Sequence, residues 1–201
     1  SISAWVNFSN FDNDLACVMS KAGGGNGGYH IEKTAGANSL SLWIENGDDG
    51  PIEVTTNVLD ADTWYHIVGT NDGTTSKIYV DGSLENSTAQ GSPAGPTGDL
   101  KIGIHSYETA SSRYWNGNID EVAVWNDALT QAEVTALYNY GAGLSAANNS
   151  GDYTSSANLQ GYWKMDEGTG TSVADASSNS NAGTINGATW STDSPIENNR
   201  E

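Results

Sequence analysis

Apolar and polar residues alternate with a period of two in short runs, each closed by a turn signal, from the first residue to about position 125. A strand turns successive side chains to opposite faces, so each run buries one face and wets the other. Many such short runs read as a β-sandwich. The expected strands are Ile2–Phe8, Leu15–Lys21, Tyr29–Lys33, Leu40–Ile44, Ile52–Thr56, Trp64–Thr70, Lys77–Val80, Leu100–Ile104 and Ile119–Trp125. Asn26-Gly27, Asn46-Gly47, Asp72-Gly73, Asp81-Gly82 and Asn116-Gly117 supply the positive φ angles that tight hairpins require. KIYVDGSLENS is the clearest hairpin of all. The 24 Gly and four Pro, with seven Trp and nine Tyr against two Phe, suit short strands joined by many turns.

One short helix breaks the pattern, and its ends are written locally. Thr130 is placed to cap the amide of Glu133 while the Glu133 carboxylate reaches back to the Thr130 amide, and Leu129 and Val134 flank the pair as a hydrophobic staple. Val134, Leu137 and Tyr138 share one face, and Gly141 is expected to end the helix. The helix is expected to plug one rim of the sandwich. Residues 143–158, GLSAANNSGDYTSSAN, read as a polar linker without periodicity. Two more strand candidates follow, Leu159–Met165 and a weaker one around Thr184–Trp190. They carry Tyr162, Trp163, Met165 and Trp190. Burying roughly five large side chains is worth on the order of 10 kcal/mol before ordering costs, so the tail must pack on something.

Seven Lys plus Arg against 25 Asp plus Glu leave a formal charge of −18, which repels phosphate backbones and anionic membrane surfaces. Nucleic acid is excluded as a partner. The acidity itself reads either as solubility in salty surroundings or as metal-binding loops. Cys17 stands alone, so no intrachain disulfide or cysteine metal cluster is available, and in LACVMSK it reads as an apolar strand residue. No run approaches the roughly 20 apolar residues of a membrane helix and no basic-then-apolar leader opens the chain, so no membrane insertion is expected. A first residue of Ser rather than Met points to a processed or excised piece of something longer.

SISAWVNF, WYHIVGTNDGTTSKIYVDG, LKIG and WNGNIDEVAVWNDALTQAEVTALYNYG resemble, in that order and with suitable spacing, the laminin-G-like domains of the concanavalin A-like lectin and glucanase superfamily. The resemblance implies an all-β jelly-roll β-sandwich of two antiparallel sheets with one short helix. Here it is divided into a body over residues 1–142, the linker 143–158 and trailing strands over 159–201. The trailing YWKMDEGTGTSVADASSNSNAGTINGATW is similar to the family's opening strands, which ordinarily precede the SISAW strand. A permuted order follows: Leu159–Met165 is expected to pair near Ile119–Trp125, completing its own sandwich or a neighbouring copy. The linker reaches roughly 50 Å, and such a tether gives an effective concentration on the order of millimolar, which favours self-completion. Family members usually have a further strand rich in Phe, Asp and Gly before the SISAW strand. Nothing here corresponds to it, which leaves an edge open to a partner strand.

The superfamily includes glucanases, whose mechanism needs two carboxylates facing the sugar from one strand. No Glu-x-Asp-x-Glu run exists. Asp120 and Glu121 are consecutive and are expected on opposite faces, while Glu45, Asp48, Asp49 and Glu53 surround a turn. No enzymatic activity is expected, glycoside hydrolysis being the distant alternative. AGGGNGGY lacks the Lys-Ser/Thr of a phosphate loop. His30, His66 and His105 lie on separate strand segments without metal-ligand spacing and read as ordinary strand positions.

Calcium is the expected cofactor, since irregular Asp/Asn/Gly loops supply the oxygen ligands it takes. The resemblance places a structural calcium where the Asp of an IDEV-type strand meets the opening segment, which here implies Asp120 with Asp175 and Asn181. The alternative is that Asp175 and Asn181 form Asx turns. A glycan site needs exposed rings for the apolar sugar face and Asn or Asp for hydroxyls. Asp12, Asp14, Asn46, Asp48, Asp49, Tyr107 and Tyr114 are the candidates, whereas Trp115 reads as a packing residue. The expected function is a non-catalytic adhesion module, extracellular or on a cell or virion surface, calcium-stabilised and binding a glycan or a surface protein. The alternative is a structural building block of a fibre, array or virion that binds other copies of itself through shared C-terminal strands.

Overall fold

The computed structural model describes residues 1–12, 14–22, 27–45, 52–106 and 113–196, without the side chains of 52–54. In chain order the strands are β1 (Ile2–Phe8), β2 (Cys17–Ala22), β3 (Gly28–Lys33), β4 (Leu40–Glu45), β5 (Ile52–Thr55), β6 (Trp64–Asn71), β7 (Thr75–Val80), β8 (Ser83–Ala89), β9 (Lys101–Ile102) and β10 (Gly117–Trp125). Helix α1 (Gln131–Tyr138) follows, then β11 (Leu159–Trp163), β12 (Ser172–Val173) and β13 (Gly183–Thr184). One sheet has the order β11-β10-β1-β6-β7-β8, the other β5-β4-β3-β2-β9, and β12 pairs with β13 alone. All pairs are antiparallel. Alternation builds the core: Ile2, Ala4, Val6 and Phe8 of β1 point inward to meet Val18, Ile31, Leu42 and Ile67 between the sheets. The expected all-β sandwich with one short helix is the architecture observed.

The capping box forms, with the Glu133 amide donating to Thr130 Oγ1 at 3.3 Å and the Thr130 amide donating to the Glu133 carboxylate at 3.0 Å. The helix ends sooner than expected. Asn139, at φ 48°, takes the left-handed C-cap position before Gly141 is reached, and its amide donates to the Thr135 carbonyl. Asn tolerates this backbone better than most residues. Nor does α1 plug a rim. Val134 and Leu137 lie on the outer face of the six-stranded sheet, in a second core with Val68, Tyr79, Ala123 and Trp125.

Residues 143–158, expected as a polar linker, are packed into that second core. Tyr153 is fully buried; its hydroxyl accepts from Trp125 Nε1 at 2.9 Å and donates to the Ala146 carbonyl at 2.8 Å. Few and irregularly spaced apolar residues do this work, so no periodicity marks the segment. The tail strand then returns to its own chain. β11 lies beside β10, with Val122 opposite Trp163, Ala123 opposite Tyr162 and Val124 opposite Gly161. Trp163 enters the core between the sheets while its Nε1 donates to the Asn181 carbonyl at 2.8 Å. Of Thr184–Trp190 only Thr184 is strand, in β13. Trp190 packs against the main core and donates to the Gly170 carbonyl at 3.0 Å.

Candidate functional site

The Asp81-Gly82 turn between β7 and β8 has positive φ at both residues, 49° and 78°, the type I′ geometry of a two-residue hairpin. It is drawn against α1, where Gln131 Nε2 and Thr135 Oγ1 both donate to the Gly82 carbonyl at 2.6 and 3.0 Å. Between turn and helix lies an open groove of about 480 Å³, lined by Asp81, Leu84, Gln131, Thr135, Tyr138 and Tyr140. Its floor is aromatic. Tyr138 stacks on Trp5 at 5.8 Å and on His66 at 6.3 Å. Burial holds the His66 imidazole down to about 3, so this ring is neutral packing. Burial pushes the Asp81 carboxyl up, opposed by the hydrogen bond from the His66 amide. At the rim Tyr140 is 95% exposed and sits at φ 55°, a left-handed conformation that costs an L-residue about 1–2 kcal/mol. A ring for the C–H face of a sugar thus stands beside a carboxylate and an amide that suit its hydroxyls. Of the glycan candidates read from the sequence, the described ones, Asp12, Asp14 and Tyr114, do not line this groove. The local signal was LYNYG, whose second Tyr falls beyond the helix end.

Asp14 accepts from Lys33 Nζ at 2.7 Å and from the Gly36 amide at 3.0 Å. The Lys33 bond is the main cause that holds its carboxyl below the usual range. Asp14 therefore partners a buried lysine. Asp12 is exposed, and its amide donates to Asn10 Oδ1 at 3.2 Å. Tyr114 is 45% exposed. Trp115 packs on Phe8 at 4.3 Å between ring centroids, in keeping with its expected role. Asn46, Asp48, Asp49 and Tyr107 lie outside the described residues.

The expected ion ligands divide into two places. Asp120 stands opposite Trp5 on the outer face of the six-stranded sheet, where its Oδ2 accepts from Ser194 Oγ at 2.8 Å. Glu121 occupies a bulge with φ 51° and accepts from the Tyr162 hydroxyl, so it also faces outward. The two consecutive carboxylates therefore share a face, because the bulge inserts one residue and breaks the alternation that placed them on opposite sides. Burial raises the Glu121 carboxyl to about 7, with the Tyr162 bond opposing and Asp120 adding. Asp175 caps the tail. Its Oδ1 accepts from the amides of Tyr162 and Ser177 at 2.9 and 2.8 Å, and its Oδ2 from Ser177 Oγ and the Asn181 amide at 2.8 and 2.7 Å. Burial raises this carboxyl, but the four hydrogen bonds outweigh it and hold it below its ordinary value. The structure thus brings Asp175 and Asn181 together, with Asp175 in an Asx turn to the Ser177 amide and its carboxylate lone pairs filled by N–H and O–H donors, and bonds Asp120 to Ser194. A calcium ion on Asp175 would have to displace those donors.

Two antiparallel sheets packed face to face, with one short helix laid outside, define a lectin-type jelly-roll sandwich. A laminin G-type model of the concanavalin A-like lectin/glucanases superfamily matches residues 1–135, and the chain belongs to that family. A protein from Bacteroides ovatus, provisionally assigned as carbohydrate binding, has 22% identity and a TM-score of 0.65 over 92% of this chain and 53% of its own. The chain therefore spans about half the length of that relative. Domain 4 of an extracellular arabinanase from Geobacillus stearothermophilus, in complex with arabinotriose, has 20% identity and a TM-score of 0.57, covering 67% of this chain and 64% of its own. The CBM40 of the IT-sialidase from Ruminococcus gnavus, bound to α2,3-sialyllactose, has 16% identity and a TM-score of 0.56, covering 68% and 80%. At these identities the likeness shows the fold. No curated protein sequence matches. Among the described residues, no helix is long and apolar enough to cross a membrane.

Proposed function

We propose that the chain is a non-catalytic carbohydrate-binding module working outside the cell, and that it holds a glycan in the groove between α1 and the β7–β8 turn. The observation that carries this reading is the Tyr140 ring, held in solvent on left-handed backbone at the edge of a groove floored by Tyr138 and walled by Asp81 and Gln131. Backbone strain retained beside an exposed aromatic is more typical of recognition than of packing. Three structural neighbours whose descriptions concern carbohydrate add support at the level of shared architecture. Binding without hydrolysis is supported by the two carboxylates on β10: Asp120 is bound to Ser194 and Glu121 to Tyr162, so neither is offered to a sugar as half of a facing pair. This reading does not pass through calcium.

A glycan array probed with the purified chain, with and without EGTA, tests it. Binding is expected in both conditions. Tyr140→Ala is expected to weaken the best ligand about tenfold, about 1.4 kcal/mol, with an unchanged thermal midpoint. Equal affinity in Tyr140→Ala and Asp81→Asn would remove the groove from the proposal. Loss of binding in EGTA that Ca²⁺ restores and Zn²⁺ does not would establish calcium as a cofactor. No ligand in either condition would end the carbohydrate reading.

A further inference from the structure

The outer face of the five-stranded sheet holds a second cluster. Ile31 of β3 points into the core, so its neighbours His30 and Glu32 point outward, two residues apart on one face. Trp43 of β4 stands opposite His30 and stacks on it, with ring centroids 5.6 Å apart and planes 12° apart. The segment after β9 then folds over this face. The Gly103 amide donates to the Val18 carbonyl at 2.8 Å, and Ser106 Oγ lies 2.6 Å from Ser20 Oγ and accepts from the Ala22 amide at 3.1 Å. Held between those two anchors, His105 meets His30 edge-on with ring centroids 4.7 Å apart.

We propose that His30, Glu32 and His105 form a site for a divalent first-row transition ion of the zinc type, which fastens the segment after β9 to the sheet. One ligand atom from each residue lies within 4.8 Å of the others, and His30 Nε2 is 3.7 Å from Glu32 Oε1. Nitrogen and oxygen ligands about 2.0–2.1 Å from a tetrahedral zinc lie about 3.3 Å apart, so small side-chain rotations close the set. All three residues are more than nine-tenths buried. Two of their polar atoms, His30 Nδ1 and Glu32 Oε2, have no hydrogen-bond partner. Unpaired buried polar atoms are costly, and a cation that takes Nδ1 or Oε2 as a ligand would relieve the cost at that atom. Arg113 Nη1 stands 3.6 Å from Glu32 Oε2, beyond hydrogen-bond reach, and an ion would take over its partial pairing with that oxygen. Two imidazoles with one carboxylate select a borderline ion over calcium or magnesium, which take oxygen ligands.

Protein stripped with a chelator and titrated calorimetrically with Zn²⁺, with Co²⁺ and separately with Ca²⁺ tests the site. One Zn²⁺ per chain at micromolar or tighter affinity is expected, with a raised thermal midpoint, a Co²⁺ visible spectrum of low symmetry, and no effect of millimolar Ca²⁺ on either. His105→Ala is expected to lose at least 100-fold in Zn²⁺ affinity and the Co²⁺ spectrum. Circular dichroism checks that it folds; His105→Gln, which keeps a polar side chain, repeats the measurement if it does not. Absence of Zn²⁺ and Co²⁺ binding below millimolar would overturn the proposal. So would unchanged affinity in the His105 variants, since the ion would then sit on the acidic loops.

Discussion

Two glutamates respond to pH with opposite signs. Burial pushes the Glu133 carboxyl up, but its oxygens accept from Ser155 Oγ at 2.5 Å, from the Thr130 amide and hydroxyl at 3.0 Å each, and from the Thr154 amide and hydroxyl at 3.3 and 3.1 Å. These bonds win, so its pKa lies below 4.5 in the folded chain. The stability it contributes is complete above the unfolded value and is lost as pH falls through the folded one. Glu133→Ala is expected to lower urea-unfolding stability by about 2–4 kcal/mol at pH 7, with the gap to the parent narrowing below about pH 4.5. Glu121 behaves oppositely. Its carboxyl is raised from 4.5 to about 7, so the folded chain holds a proton that the unfolded chain releases across that interval, and stability falls as pH rises through it. Urea midpoints of Glu121→Gln are expected to lack this decline and to exceed the parent's at pH 8. The Thr130–Glu133 pair was legible because it is local. The bonds from Thr154 and Ser155 were not, since they arrive from 21 and 22 residues away. The shared face of Asp120 and Glu121 was hidden for another reason: period-two reasoning assumes an unbroken ladder, and the bulge breaks it.

At the level of elements, strands such as β1, β3 and β6 could be read because apolar and polar residues alternate along them, although the structure buries nearly the whole length of each on both faces. β8 was visible only as half of a hairpin. Its residues SLENSTA are polar on both faces, and its place at the sheet edge leaves it largely exposed. The His30, Glu32 and His105 cluster was missed: the histidines read as ordinary strand positions without metal-ligand spacing, and His105 comes from a segment after β9 whose path no period announces. β11 gives a prediction of its own. A Cβ on Gly161 would collide with the indole of Trp163, which folds back over it. Gly161→Ala is expected to displace that ring from the core, costing about 1–3 kcal/mol and shifting tryptophan emission to the red. Unchanged emission and stability would mean that the indole lies elsewhere.

For the molecule as a whole, the net charge of −18 opposes compaction, and no sheet geometry offsets a surface that repels itself. Raising NaCl from about 0.02 to about 0.5 M shortens the screening length from about 20 to about 4 Å, and the thermal midpoint is expected to rise by several degrees in a scanning melt. With β11 seated beside its own β10, the strand that could be lent to a neighbour is already in use. Light scattering is expected to find a monomer at high concentration, and concentration-dependent growth would revive the strand-sharing alternative. The order of that sheet also bears on biosynthesis. β1 is made before both of its neighbours yet lies in the interior, between β6, which begins at Trp64, and β10, which begins at Gly117. A nascent chain must hold β1 unpaired until β6 has been synthesised and has left the ribosome, and β11 closes the edge only after β10 has followed. Such a chain has little tertiary structure to undo if a translocation channel engages it before synthesis is complete.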